Sequence, residues 1–305
     1  MAEEPGTLSF APLNPEANEH ADGLLAFDEA RPRLFGIAYR MLGSAAEAED
    51  IVQDVWLRWQ ATDRSLVENP PAFLATITTR ICINFAQSAR SRRETYVGPW
   101  LPEPVDTRSD PGLGAERGEA LGFAILLLLE KLTPTERAAY VLREAFDYSH
   151  REIADVLQIE EGNARQLVSR ARKHIATERR APVSSGEQRR LLEAFIEAAQ
   201  KGDLASLEDL FAEDVVSYSD GGGIVRTAAR APVSGRERVA KFIAAFASHF
   251  WAGIKLKWME TNGQPSVLLL RDDIPVALAT IDASAQGIYQ IMWIMRPSKL
   301  TAVSK

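Results

Sequence analysis

Along the first third of the chain, apolar residues recur at helical spacing. Leu24, Leu25 and Phe27 lead in, and Leu34, Ile37, Ala38 and Met41 follow at intervals of three and four. Gly43 and Ser44 read as a stop and an N-cap. Ile51, Val55, Trp56 and Trp59 then line one side of a second helix, with Glu47, Asp50, Gln53 and Asp54 on the other. Asn69-Pro70-Pro71 breaks the chain and starts a third helix. Residues 97–116 carry prolines at short intervals, which favours an extended linker. Trp100 and Leu101 are unusual there, because free linkers rarely expose such side chains, and they are expected to dock. Helical patterning resumes over 117–181, with Thr133 capping a helix that opens on Pro134. After a short linker at 182–186, two amphipathic helices (about 187–201 and 203–212) precede Val215-Val216-Ser217-Tyr218. A helix at about 235–251 follows, then strands at Ile254–Thr261, Ser266–Arg271, Val276–Asp282 and Gly287–Arg296. The fold class expected is multidomain: two all-α helical domains, then an α+β cone with a curved antiparallel sheet.

Composition agrees with a globular protein: 305 residues, 46% hydrophobic and 25% charged. No apolar run approaches the ~20 residues of a membrane helix; the longest, Phe123 to Leu129, ends at Glu130 and Lys131. The opening residues carry acids where a signal peptide needs bases, so a cytoplasmic protein is expected. A single cysteine, Cys82, excludes an internal disulfide and any multi-cysteine metal site.

Charge is more informative by segment. The net charge is −7, and residues 1–30 alone hold seven acids and no Lys or Arg. With its prolines and weak periodicity, segment 1–20 reads as a disordered acidic tail. Arg80, Arg90, Arg92 and Arg93 fall in a stretch without acids, and Arg165, Arg170, Arg172, Lys173, Arg179 and Arg180 form a second basic cluster. An acidic chain with basic patches can still meet phosphate.

The strongest local signal lies in 149–175. Ser149 caps a helix through Leu157, Gln158-Ile159-Glu160 makes a short connection, and a second helix starts near Glu161 or Gly162. Ala164, Leu167, Val168 and Ala171 form one face of that helix; Asn163, Arg165, Gln166, Ser169, Arg170 and Arg172 form the other. This is helix-turn-helix spacing, and Arg, Asn and Gln are the residue types that read base edges.

Together these segments resemble the extracytoplasmic-function sigma factors of bacterial RNA polymerase. Ala48-Glu49-Asp50-Ile51-Val52-Gln53-Asp54-Val55-Trp56-Leu57-Arg58-Trp59 is similar to the family's core-polymerase-binding helix. Pro71-Ala72-Phe73-Leu74-Ala75-Thr76-Ile77-Thr78-Thr79-Arg80 with the basic stretch after it resembles the promoter-melting segment, and Tyr148 through Arg172 the second promoter-recognition domain. The resemblance implies sigma region 2 over 21–96, a linker over 97–116 and sigma region 4 over 117–181. It implies contacts to core polymerase from Glu47, Asp50, Gln53, Asp54 and Trp56. It places Arg80, Asn84, Arg90, Arg92 and Arg93 at the minus-ten element, and Asn163, Arg165, Gln166, Ser169, Arg170 and Arg172 at the minus-thirty-five element.

Trp100-Leu101-Pro102-Glu103-Pro104 matches a signature of those sigma factors that carry a C-terminal SnoaL-like domain, the sigma-J type. Asp220-Gly221-Gly222-Gly223 matches a second, and Arg296-Pro297-Ser298-Lys299-Leu300 is similar to a degenerate third. The family often has Lys after the glycines; here Ile224 follows, with Arg226 two further on. The resemblance assigns 187–305 to a SnoaL-like regulatory module. Tethered through 182–186, the module is expected to pack on Trp100-Leu101-Pro102 and both sigma regions, with the glycines allowing close approach. Asp220, Asp282 and His249 are the acid/base candidates in that module. Asp220 beside three glycines reads as a loop or turn carboxylate, and no convergent dyad is visible. No catalytic residue, cofactor or metal is expected, and the partners expected are core RNA polymerase and promoter DNA, with no membrane. Two alternatives stay open: a ligand-sensing helix-turn-helix regulator that binds duplex DNA on its own, and a SnoaL-type isomerase or cyclase. A small-molecule or protein regulator of the C-terminal module also stays open.

Overall fold

A computed structural model describes residues 15–106 and 122–303, with side chains from residue 23 onward except 89–94. Helix α1 spans Pro15–Leu42, so residues 15–20, expected in the tail, are helical. Pro15 at the first helical position, followed by Glu16, suits a helix start. Residues 1–14 lie outside the described residues, as do 107–121 of the expected linker and the chain after it.

Gly43, at φ +66°, ends α1, and Ser44 caps α2 (Ala45–Gln60) by accepting from Glu47 N at 3.2 Å. Asn69 Oδ1 accepts from Ala72 N at 3.1 Å and opens α3, Pro70–Glu94. Leu34, Ile37 and Met41 of α1, Val55 and Trp59 of α2, and Leu74 and Cys82 of α3 are buried together. Burial pushes the Cys82 thiol pKa far up, as expected of a packing residue.

The second helical group comprises α4 (Phe123–Glu130), α5 (Pro134–Phe146), α6 (His150–Leu157) and α7 (Glu161–Glu178). Reciprocal capping boxes, Thr133 with Glu136 and Ser149 with Glu152, fix the starts of α5 and α6. Gln158 at φ 55° turns the chain between α6 and α7. The two helical groups share one apolar cluster. Buried Arg137 crosses the junction, donating from Nη1 to Met41 O and to Glu130 Oε1, each at 2.6 Å. Arg33 donates to Phe146 O at 3.2 Å and lies over the rings of Phe146 and Tyr148.

The C-terminal module begins with α8 (Ser185–Lys201) and α9 (Leu204–Leu210). Its strands are β1 (Phe211–Asp220), β2 (Val233–Ser234), β3 (Ile254–Thr261), β4 (Gln264–Arg271), β5 (Ile274–Ser284) and β6 (Gly287–Ile294). They form a six-stranded sheet in the order β2-β1-β6-β5-β4-β3. Only the β1–β6 pairing is parallel; the others are antiparallel. The helix expected at about 235–251 divides into α10 (Arg236–Ala245) and α11 (Ala247–Phe250) at Phe246. The break gathers Phe242, Phe246, Phe250 and Trp251 with Trp293 at the mouth of the cone. A short helix α12 (Pro297–Leu300) and a 3-10 turn at Thr301–Val303 follow the sheet.

Both faces of the sheet are covered. Val267, Leu269, Ala277, Ala279, Ile281 and Ile291 face the module's own helices through Phe195 and Val239. Leu268, Leu278, Met292 and Ile294 face outward onto Leu101 of the linker, Phe123 of α4, and Leu300 and Val303. The alternation of side chains across a strand makes one sheet serve two cores.

Candidate interdomain lock and nucleic-acid surfaces

The outer face of the sheet carries a buried polar cluster. Asp220 is the last residue of β1 and wholly buried, not the loop carboxylate that the glycines suggested. Three elements converge on it. Lys299 Nζ donates to Oδ2 at 2.7 Å, Leu101 N donates to Oδ2 at 2.9 Å, and Tyr96 Oη donates to Oδ1 at 2.5 Å. Lys299 Nζ also donates to Leu101 O. One peptide group of the linker is therefore gripped at its N–H by the acid and at its carbonyl by the base. The ammonium sits 4.4 Å over the Trp100 ring, so its charge is met from three sides. Burial, and then donation to Asp220, push the Tyr96 phenol pKa up to about 12.

A second node ties the linker to both bodies at once. Asn262 Oδ1 accepts from Val105 N at 3.0 Å, and its Nδ2 donates to Tyr39 Oη at 2.6 Å. Tyr39 Oη in turn donates to Glu103 O at 2.6 Å. Asp106 bridges Thr261, so the linker continues the sheet past its β3 edge. Glu103 N donates to Gly43 O at 2.8 Å, and Glu103 Oε2 accepts from Ala46 N at 3.1 Å. That carboxylate sits at the first turn of α2, where the helix dipole favours an anion. Gln264 plays the same part for α4: its Oε1 accepts from Phe123 N at 3.3 Å, and its Nε2 donates to Asp282 Oδ1 at 2.8 Å. Burial pushes the Asp282 carboxyl up to about 6.

The packing is equally close. A Cβ on Gly43 would lie 2.7 Å from Trp100 Cη2, and one on Gly223 2.9 Å from Val97 Cβ. Gly222 lies against Tyr96 and Arg296. Thus Trp100 through Pro104 and Asp220 through Gly223, singled out as motifs, are brought to one place. Tyr39, Tyr96, Asn262, Gln264 and Lys299 were not singled out as site residues. Lys299 stands in the third motif, which was the available signal; Asn262 lies in the β3–β4 turn and Gln264 directly follows it, and neither carries a sequence signal for this role.

Asp282 has Gln264 as its partner, and His249 pairs with Ser248 at an exposed helix end. The three acid/base candidates thus have separate partners. Among the described residues, no group of three or more His, Cys, Asp or Glu could hold a metal. No helix among them is long and apolar enough to cross a membrane.

The sites expected to meet polymerase and DNA are placed as follows. Asp50, Gln53 and Asp54 are exposed on α2, and Glu47 is half-buried in its first turn. Trp56 is half-buried and packs on Phe27 with centroids 4.8 Å apart. Asn84 is exposed on α3. Arg80 is engaged: its Nε donates to Val156 O at 3.0 Å and its Nη2 to Asp155 O at 3.4 Å, on the last turn of α6. The side chains of Arg90, Arg92 and Arg93 lie outside the described residues. On α7, Asn163, Arg165, Gln166, Ser169, Arg170 and Arg172 form an exposed face. Surface acids hold three of its arginines: Glu161 pairs with Arg165, Glu136 with Arg170 and Glu144 with Arg172.

Comparison with known proteins agrees with this organisation. Sigma-70 region 2 matches residues 26–92, and Sigma-70, region 4 matches 122–175. The ECF RNA polymerase sigma factor SigJ of Mycobacterium tuberculosis is 38% identical over 235 residues, 75% of this chain and 74% of that protein. The probable ECF RNA polymerase sigma factor SigI of the same species is 29% identical over 288 residues, 93% of this chain and 96% of that one. A crystal structure of Mycobacterium tuberculosis SigJ superposes with a TM-score of 0.72 at 29% identity, covering 92% of this chain and 98% of that one. Both sigma regions and the cone that follows them are thus shared with a relative across most of its length, and the chain belongs to the extracytoplasmic-function family of RNA polymerase sigma factors.

Proposed function

We propose that this sigma factor carries its own conformational lock. The exposed face of α2, with Asp50, Gln53 and Asp54, meets core polymerase. The basic end of α3 holds the minus-ten strand, and the outward face of α7 reads the minus-thirty-five element in the major groove. The C-terminal cone acts by packing, not by catalysis. It clamps the linker on its outer sheet face and holds the two helical groups together.

The observation that carries this reading is the engagement of Arg80 on the last turn of α6. A minus-ten residue bonded to the helix-turn-helix must be released before it can serve DNA. The same closed arrangement buries the linker at Asp220 and Lys299. Polymerase binding would draw on its differential affinity for the open arrangement to undo those contacts.

Run-off transcription tests it. Core polymerase with the full-length protein is expected to initiate where core alone does not, and the Lys299→Met variant to initiate more efficiently at the same concentration. Equal transcription by both proteins, with the variant's linker shown to be released by hydrogen exchange, would refute the lock. No initiation by either would refute the polymerase role.

A further inference from the structure

Three arginines cross the junction between the two helical groups, and each ends on the same kind of acceptor. Arg137, in the first turn of α5, donates from Nη1 to Met41 O in the last turn of α1, at 2.6 Å. Arg33 of α1 donates from Nη2 to the carbonyl of Phe146, the last residue of α5, at 3.2 Å. Arg80 of α3 donates from Nε to Val156 O in the last turn of α6, at 3.0 Å. Carbonyls in the last turn of a helix lack partners within it, and the negative end of the helix dipole favours a cation there. Here the cation comes each time from the other group. The start of α5 meets the end of α1, and the end of α5 meets Arg33 further back along α1. The two helices therefore run antiparallel and exchange arginines, each capping the other's end.

The junction also has its own packing. The Arg33 guanidinium lies 5.3 Å from the centre of the Phe146 ring and 5.1 Å from that of Tyr148. Buried Arg40 lies 5.1 Å from the centre of the Phe146 ring. Among the described residues, the apolar cluster that joins Leu34 and Ile37 of α1 to Leu142 of α5 and Ile153 of α6 holds no residue of the cone. The three donors and their acceptors all lie within the segments matched by Sigma-70 region 2 and region 4. Arginine suits the place, because it keeps its charge and one guanidinium can serve several acceptors. Arg137 serves Met41 O and Glu130 Oε1 together.

We propose that these swapped arginine caps form an autoinhibitory latch between sigma regions 2 and 4 that closes without the cone. The closed arrangement then has two latches, the caps between helices and the grip of the sheet on the linker. Opening must undo both. Latches that hold one state independently add in free energy and multiply in the closed-to-open ratio. A hydrogen bond from a charged group is strong enough for one cap to change that ratio about tenfold or more. The consequence for transcription rests on the reading that core polymerase takes the open arrangement; the latch itself does not.

Binding of the full-length protein to core polymerase tests the latch, with Arg33→Met, Lys299→Met and the double variant compared to the wild type. Methionine keeps an apolar stem against Phe146 and removes the donor. Arg33→Met is expected to bind core about tenfold more tightly, because less binding energy goes into opening. The same factor is expected in the Lys299→Met background. A factor that vanishes there would mean that the caps depend on the cone, and would overturn the proposal. So would unchanged or weaker affinity of Arg33→Met in both backgrounds. An effect of Arg33→Met with none of Lys299→Met would sustain the caps and refute the lock on the linker; the converse would refute the caps alone. Where no protein binds core, the polymerase role fails and a distance measurement decides. Spin labels at Leu57→Cys on α2 and Ala176→Cys on α7 report separation of the two groups without polymerase. Adding Arg33→Met to Lys299→Met should enlarge the share of long distances, and equal shares would overturn the caps.

Discussion

The two faces of the C-terminal sheet do different work with the same strands. The inner face is mainly apolar in its contacts, with Phe195, Val267, Leu269, Ala279 and Ile291 packed beneath the module's own helices. The outer face also has an apolar centre, around Leu101, Phe123 and Leu278. It adds Asp220, Lys299, Asn262, Gln264 and Asp282, all part of a buried or half-buried polar net. Apolar packing tolerates many arrangements of similar volume. A buried ion pair with a gripped peptide tolerates few, because leaving one member unpaired is costly. The inner face thus makes the module, and the outer face sets where the rest of the chain sits on it.

The sharpest way to separate the faces is to damage each once. Lys299→Met leaves Asp220 buried without its cation and is expected to cost about 4 kcal/mol at the interface. Phe195→Ala is expected to cost a similar ~4 kcal/mol by opening an inner cavity. Hydrogen exchange distinguishes them: the first should release the amides of Leu101, Glu103 and Val105 while β4 and β5 stay protected, and the second should expose β4 and β5 as well. Exchange of the whole sheet in both variants would mean that the faces are one cooperative unit.

Leu101→Ala removes the apolar plug of the outer face without touching charge. A loss of about 3 kcal/mol is expected, again read at the linker amides. A smaller effect comes from pH. Asp282 titrates near 6 when folded, above its ordinary range, so the folded protein holds the extra proton between about pH 4 and 6. Its burial therefore weakens the fold at neutral pH, and that cost is recovered as the pH falls through this window. Asp282→Asn should be more stable than the wild type in urea at pH 7.5, with the difference vanishing toward pH 4.5. Smallest is Tyr39→Phe, which removes the donor to Glu103 O and should cost about 1 kcal/mol. Its readout is the same linker exchange, against an unchanged inner face.

Much of this was legible in the residues. Gly43 and Ser44, Thr133 and Pro134, and Ser149 each end or begin a helix where their backbone and side-chain preferences require it. Trp100 and Leu101 announced docking by being too apolar for a free linker, and Leu101 is fully buried. What was not legible is long-range. Asp220 looked like a turn residue because its neighbours are glycines, and only the tertiary structure brings Lys299 to it. Arg80 has the residue type and position of a DNA contact, and nothing in its surroundings along the chain signals the α6 carbonyls that occupy it.

The grip on the Leu101 peptide has a consequence in time. Its carbonyl partner, Lys299, comes 198 residues later in the chain, and 79 after Asp220. At typical synthesis rates of ~5–20 residues per second, roughly ten seconds or more separate the emergence of the linker from that of the lysine. The sigma regions of each new molecule therefore emerge from the ribosome before the lysine that grips the linker has been made.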